Sequence, residues 1–173
     1  MKIELNRTSE DFSQKLELEE SPDALELKAD CATFEKPVKV ELIVSKSQDQ
    51  LICRGRVTTS VKLECSRCLG EYEQALSSDL NFVIDLSGNS DEVDSEEEGG
   101  YFVADPSSGF FEIDDLVREA IILFMPLKPL CSEDCRGLCP TCGTDLNRSK
   151  CDCVTEKSDP RWDKLKGLLN KKS

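Results

Sequence analysis

Eight of the ten cysteines in this chain fall in closely spaced pairs, and that spacing constrains the fold more than any other feature. The pairs are Cys65 and Cys68 in CSRC, Cys131 and Cys135 in CSEDC, Cys139 and Cys142 in GLCPTCG, and Cys151 and Cys153 in KCDC. Two residues between cysteines let both sulfurs face one ion, while the amides of the turn hydrogen-bond the sulfurs and hold them as thiolates. One CxxC alone is a weak signal. The GLCPTCG and KCDC set is much stronger, because Pro140 and Gly143 suit a tight turn and the intervening residues are enough to bring a second pair back. Cys131 and Cys135, four apart, place their sulfurs on one face of a helical turn.

Histidine is absent from the chain, so any metal site is all-sulfur or includes carboxylate. Four thiolates leave no position open for water, which is the signature of structural rather than catalytic zinc. Two groupings use all eight residues. In the one that closes the shorter loops, at less entropic cost, Cys139, Cys142, Cys151 and Cys153 form a local site, and Cys65 and Cys68 join Cys131 and Cys135 across the sequence. The competitor groups Cys131, Cys135, Cys139 and Cys142, and leaves Cys65 and Cys68 to meet Cys151 and Cys153. Either way the expected cofactor is two structural zinc ions. Four cysteines also suit an iron–sulfur cluster, but the tight CPTCG turn favours a single small ion. Cys31 and Cys53 have no partner at ligand spacing, and Cys53 lies on the apolar face of a predicted strand as a core residue.

The N-terminal stretch MKIELNRTSEDF carries no apolar segment and no cleavage signal, and no run approaches the length needed to cross a bilayer. The chain reads as cytoplasmic, where thiols stay reduced, so its cysteines point to metal rather than to disulfides. The formal net charge of −13 is unevenly placed, with +3 on residues 128–173 and −16 on the rest. An acidic body repels nucleic-acid phosphate, so contact with phosphate or an acidic partner falls to the basic tail. The cations expected to make that contact are Arg136, Arg148, Lys150, Arg161 and Lys164.

The first two-thirds read as β structure. Leu51, Cys53, Gly55, Val57, Thr59, Val61, Leu63 and Cys65 share one parity, and Arg54, Arg56, Thr58, Ser60, Lys62 and Glu64 share the other, which predicts a long strand with a bend near Gly55. Val38 to Val44 alternates in the same way, with Ile43 breaking the polar face. After a tight connection from Cys65 to Gly70, the chain returns through Tyr72–Leu76 and Leu80–Leu86. Short strands are expected at Lys2–Leu5 and Ala24–Ala29, and a hairpin at Tyr101–Ala104 and Phe110–Ile113. Residues 87–100 hold six acids and no aromatic residue, and read as a disordered acidic loop. Ile113, Leu116, Val117, Ala120, Ile121 and Phe124 predict a helix capped by Asp114 or Asp115, ended by Pro126, and buried on most sides. A second, amphipathic helix is expected from Asp159, with Trp162, Leu165, Leu168 and Leu169 as its stripe.

The expected fold is therefore α+β. An antiparallel curled sheet, sandwich or open barrel, carries one buried helix over residues 1–128. A cysteine-rich zinc module with its C-terminal helix occupies residues 129–173. No histidine base, phosphate-cradling glycine loop or recognisable serine nucleophile is present. CSRC follows a strand and precedes another, unlike a redox pair at the start of a helix.

Taken in order, the strand into CSRCL, the acidic stretch, FFEIDDLVREAIILFMPLKPLC, CRGLCPTCGTDLN, CDC and DPRWDKLKGLL resemble the YceD family, from about Leu51 to Leu169. The resemblance implies a non-catalytic role in the synthesis, processing or stability of large-subunit ribosomal RNA, in bacteria and plastids. The implied partners are ribosomal RNA, a large-subunit ribosomal protein or an assembly factor, with no membrane and no small-molecule substrate. Some relatives keep the CxRC pair and lack the GLCPxCG block, which supports reading Cys65, Cys68, Cys131 and Cys135 as one unit. A reading of a different class is a zinc-stabilised protein–protein adaptor or metal-handling protein that does not touch RNA.

Overall fold

The structure is a computed structural model that describes residues 1–5, 13–29, 32–87 and 100–153. Cys31, most of the acidic stretch, the expected C-terminal helix, Arg161 and Lys164 lie outside the described residues. Among the described residues eight strands and one α-helix follow in chain order: β1 (Lys2–Glu4), β2 (Ser13–Glu20), β3 (Ala32–Phe34), β4 (Val38–Ser47), β5 (Gln50–Glu64), β6 (Glu71–Asp85), β7 (Gly100–Val103), β8 (Phe110–Glu112) and α1 (Asp114–Phe124).

The main sheet is open and runs β2-β4-β5-β6-β7, with β3 added against β5. Its spine is the β5–β6 hairpin, paired without a break from Gln50 opposite Asp85 to Glu64 opposite Glu71. The return strand expected in two pieces is one piece of 15 residues. β3 and β4 pair with the same side of β5, and four residues (35–38) separate their paired ends where β5 has two (59–60). Pro37 lies in this bulge, where a residue without an N–H costs no ladder bond. Gly55 sits within uninterrupted β5, where an added Cβ would stand 1.9 Å from the Glu41 carbonyl oxygen, so only glycine lets β4 come this close.

Strand alternation puts one face of this sheet against a continuous core. Val38, Val40, Leu42 and Val44 of β4, Leu51, Cys53, Val57, Val61 and Leu63 of β5, and Leu76, Leu80, Phe82 and Ile84 of β6 are all buried in it. Opposite them lie Ile3 of β1, Ile113, Val117 and Ile121 of the α1 region, and Leu25 and Leu27 from the turn after β2. Burial pushes the Cys53 thiol up to about 12, as suits a core residue and no ligand.

Three local expectations are corrected. Residues 22–26 form a turn rather than a strand. The Ser21 hydroxyl accepts from Ala24 N–H at 3.3 Å and its carbonyl from Leu25 N–H at 3.3 Å, a local capture typical of a Ser-Pro-Asp start. The edge strand is instead β2, whose mixed Lys, Glu and Leu composition hid it. The expected 101–113 hairpin is divided between two sheets. β7 runs parallel to β6, whereas β8 pairs antiparallel with β1. The divergence follows from a short turn at Pro106–Ser108 capped by Asp105, which ends at Gly109 with φ 73°, and from Asp85. Asp85 accepts the Tyr101 hydroxyl through its side chain and Ala104 N–H at 2.9 Å through its carbonyl.

Finally, Ile113 rather than an aspartate takes the N-cap of α1, with no side-chain cap bond. Asp114 instead pairs with the Met1 ammonium group. The helix buries Val117 and Ile121, but its last turn leaves Leu123 77% and Phe124 53% exposed. Met125, ahead of Pro126, is extended at ψ 138°, so the helix stops there. No helix among the described residues is long and apolar enough to cross a membrane.

Candidate metal centre

The eight paired cysteines gather into two groups, Cys65 with Cys68, Cys131 and Cys135, and Cys139 with Cys142, Cys151 and Cys153. Within each group all four sulfurs lie within 4.8 Å of one another. This is the first of the two groupings that the spacing allowed.

The CSRC and CPTC turns are one turn made twice. In each, the first cysteine donates its N–H to the carbonyl five residues on, Cys65 to Gly70 at 3.0 Å and Cys139 to Thr144 at 2.8 Å. The residue four on donates back to the first cysteine's carbonyl, Leu69 to Cys65 and Gly143 to Cys139, both at 2.9 Å. That residue is left-handed in both turns, with φ 56° at Leu69 and 73° at Gly143. The amides inside the turn reach the sulfurs in matching fashion. Cys65 accepts from the backbone of Cys68 and Arg67, and Cys139 from that of Cys142 and Thr141. Gly70 and Thr144 serve Cys68 and Cys142 in the same way.

The second pair of each group arrives differently. Cys131 and Cys135 flank a single turn, closed by Cys135 N–H to the Ser132 carbonyl at 3.1 Å, rather than a turn of helix. It is pinned to the hairpin by backbone bonds, from Ser66 N–H to Pro129 O at 2.9 Å and from Leu138 N–H to Arg67 O at 3.1 Å. The Arg67 guanidinium completes the clamp, donating to the carbonyls of Glu133 at 3.0 Å and Cys135 at 2.8 Å. Cys151 and Cys153 follow a compact turn at 145–149, in which Arg148 and Ser149 donate to the Asp145 carbonyl at 3.2 and 3.1 Å.

These contacts set the acidity of the thiols. Cys65 is drawn down to about 6, first by the Cys131 amide and next by that of Cys68. Cys142 falls to about 6, chiefly through the Thr144 hydroxyl, 3.1 Å away. Cys131 is pushed up to about 12, foremost by the Cys135 sulfur, and Cys153 to about 12, foremost by that of Cys142. Each group thus has a thiol ready to ionise and another that resists beside it, because crowded sulfurs share negative charge badly until a cation stands among them.

The residues fit a single tetrahedral ion. Zinc–sulfur bonds of about 2.3 Å at the tetrahedral angle separate ligand sulfurs by about 3.8 Å. Cys65 lies 3.8 Å from Cys135, and Cys68 lies 3.7 Å from Cys131. A cluster of several irons would place its cysteines on different irons and spread them further. All-sulfur ligation suits zinc or one iron, and with every position filled by protein the bound ion would crosslink rather than catalyse.

Of the basic residues singled out from the sequence, Arg136 is exposed next to Cys135 of the first group, and Arg148 and Lys150 are exposed just before Cys151 of the second. Arg148 pairs with Asp145 at 3.4 Å. Sequence reasoning missed Arg67 and Asn147, which touch the sulfur-bearing segments without being ligands. The only trace of Arg67's role was its place between two cysteines.

A profile of the family described as large ribosomal RNA subunit accumulation protein YceD matches residues 53–169, which include all eight paired cysteines. The chain belongs to the YceD family. An uncharacterized protein of Mycobacterium leprae is 29% identical over 133 residues, 77% of this chain and 59% of that protein. The chloroplastic YCED homolog 1 of Arabidopsis thaliana is 26% identical over 155 residues, covering 76% of this chain and 48% of the plant protein. The maize homolog 1 is 28% identical over 142 residues, 68% of this chain and 48% of its own length. The chain therefore spans about three-fifths of the mycobacterial relative and about half of the plant proteins. No solved structure matches it significantly.

Proposed function

We propose that this protein is a non-catalytic factor in the synthesis, processing or stability of large-subunit ribosomal RNA, with two structural zinc ions held by Cys65, Cys68, Cys131 and Cys135 and by Cys139, Cys142, Cys151 and Cys153. The observation that carries the reading is the family match, which spans both sulfur groups and bears the name of large-subunit RNA accumulation. In this reading zinc shapes the cysteine-rich segment, which presents Arg136, Arg148 and Lys150, together with Arg161 and Lys164, to ribosomal RNA or to a large-subunit ribosomal protein or assembly factor in the cytoplasm. The acidic body limits binding to RNA at large, since phosphate contacts are electrostatic and indifferent to sequence.

Depletion of the protein tests the role. The expected outcome is a fall in large-subunit ribosomal RNA and mature large subunits relative to the small subunit. Unchanged levels of both overturn it. Elemental analysis of protein purified without chelator is expected to give about two zinc per chain, under one four-sulfur site for each ion.

A second reading, a zinc-stabilised protein–protein adaptor or metal-handling protein without direct RNA contact, is favoured by the exposed apolar end of α1. Ile122, Leu123, Phe124 and Leu127 lie open there, as apolar surface at a protein interface does. Filter binding over a salt series separates the two. Direct RNA contact predicts affinity that falls steeply with salt and is lost on charge reversal of Arg136, Arg148 and Lys150.

A further inference from the structure

We infer that the two sulfur groups load metal as one coupled unit, and that Asn147, carried by the second group's loop, is a positioning residue for the first. This rests on the metal-binding reading given above. The Asn147 side chain grips the peptide of Cys135 from both ends. Its Nδ2 donates to Cys135 Sγ at 3.4 Å, and its Oδ1 accepts the N–H of Arg136, the next residue, at 2.8 Å. An N–H aimed at a ligand sulfur spreads the thiolate's charge and fixes the sulfur's position, the role that outer-shell partners play at metal sites.

Asn147 belongs to the loop between Cys142 and Cys151, which the second group closes. Its orientation is set within that loop, since its backbone N–H and its Nδ2 both reach Asp145 Oδ1 at 2.9 Å. Asp145 is in turn bridged to Leu138. Closing Cys151 and Cys153 onto Cys139 and Cys142 therefore shortens the loop that must present Asn147 to Cys135, which lowers the entropy lost in making that contact.

The coupling has a return path through the segment between Cys135 and Cys139. Gly137 has φ 73°, and a Cβ there would stand 2.8 Å from the Arg67 carbonyl oxygen, so the segment is wedged against the CSRC turn. On that side Leu138 N–H donates to Arg67 O at 3.1 Å, and on the other Leu146 N–H donates to Gly137 O at 3.0 Å. Cys135 and Cys139, at the ends of this segment, are 5% and 4% exposed. Neither sulfur can leave its ion without shifting a segment bonded to both groups. By linkage each ion then strengthens the other's binding by the same factor.

The test uses the full chain, loaded with zinc or with cobalt as a spectroscopic stand-in, and titrated against a chelator. Three variants enter a cycle: Asn147→Asp, Cys151→Ser with Cys153→Ser, and all three changes together. Asn147→Asp keeps the acceptor for Arg136 but loses the Nδ2 donor both to the Cys135 sulfur and to Asp145, and sets a carboxylate beside each. Alone it is expected to weaken the first site about 10- to 100-fold. The double serine variant is expected to bind one ion instead of two, and to hold it more weakly than the intact protein's first site. In that background Asn147→Asp is expected to add little, because the loop no longer presents the residue. An unchanged first-site affinity in Asn147→Asp and in the serine variant, or an equal effect of Asn147→Asp in both backgrounds, overturns the coupling while leaving the metal reading intact. Failure of the unmodified protein to take up either metal overturns both.

Discussion

Between Ile3 and Ile121 the chain buries a continuous cluster of mostly aliphatic and aromatic side chains, drawn mainly from the two sheets, the helix and the turn after β2. Between Cys131 and Cys153 the only buried hydrophobic side chains among the described residues are Cys135 and Cys139. The first region is held by removing apolar surface from water, a force spread over many residues and indifferent to small displacements. The second is held by a few directional contacts, amide to sulfur and amide to carbonyl, in a stretch too poor in apolar mass to offset its own ordering entropy. The contrast teaches where each region is vulnerable. Losing one methylene group should trouble the sheet slightly, and losing one ion should undo the cysteine segment.

The largest expected effect is therefore metal removal. Apparent folding free energies of structural zinc sites reach about 10–16 kcal/mol near neutral pH, so chelation should strip amide-exchange protection from Leu138, Cys139 and Leu146. The β5–β6 ladder should keep its protection. If both regions lost protection together, the two would be one cooperative unit and the comparison would fail. Next in size, Leu25→Ala or Ile121→Ala should cost about 2–5 kcal/mol in urea unfolding, as cavities in a packed core do. Uptake of the proposed metal should stay unchanged. A variant that lost zinc in proportion to its stability would show the core to be holding the sulfurs in place.

A finer prediction compares the two matching turns. Leu69 holds the left-handed position that Gly143 holds in the other turn, and a side chain there costs roughly 1–2 kcal/mol. Leu69→Gly should stabilise the hairpin end by about 1 kcal/mol, and Gly143→Ala should destabilise the second turn by a similar amount, read from chelator midpoints and thermal unfolding. Equal and opposite results would show that the turns are interchangeable in backbone and differ only in this residue.

The smallest effect concerns pH. Hydrogen bonds from Ser87, hydroxyl first, and then from the Tyr101 hydroxyl hold Asp85 down to about 2. A depressed carboxylate contributes stability that is full above its unfolded value, about 4, and is lost as pH falls through its folded one. Acid titration of unfolding between about pH 4 and 2 should be shallower in Asp85→Asn than in the unmodified protein. An identical slope would mean that the clamp on β7 does not depend on this charge.

Several features could be read directly along the chain because they obey local rules. Period-two burial located β4, β5 and the inward parity of Cys53 and Cys65, since alternate residues of a strand must face opposite sides. Pro126 fixed the end of α1 through its effect on the residue before it. Ser-Pro-Asp is a signal for the turn at 22–26 that the strand expected at Ala24–Ala29 left unused. Leu25 and Leu27 are core residues that sit at this turn, a combination that periodicity cannot express.

What the sequence determined by itself was eight cysteines at ligand spacing with no histidine to join them, and two of their turns tight. Chemistry and covalent reach settle such matters between neighbours. The cost of loop closure already favoured the grouping of cysteines that the structure brings together. What only the tertiary structure decided was that tyrosine and aspartate draw 100–103 alongside β6 instead of into a hairpin, and that Arg67 and Asn147 stand beside the sulfurs. Those outcomes depend on side-chain contacts between residues 12 to 68 positions apart, which no local rule of spacing or periodicity reports.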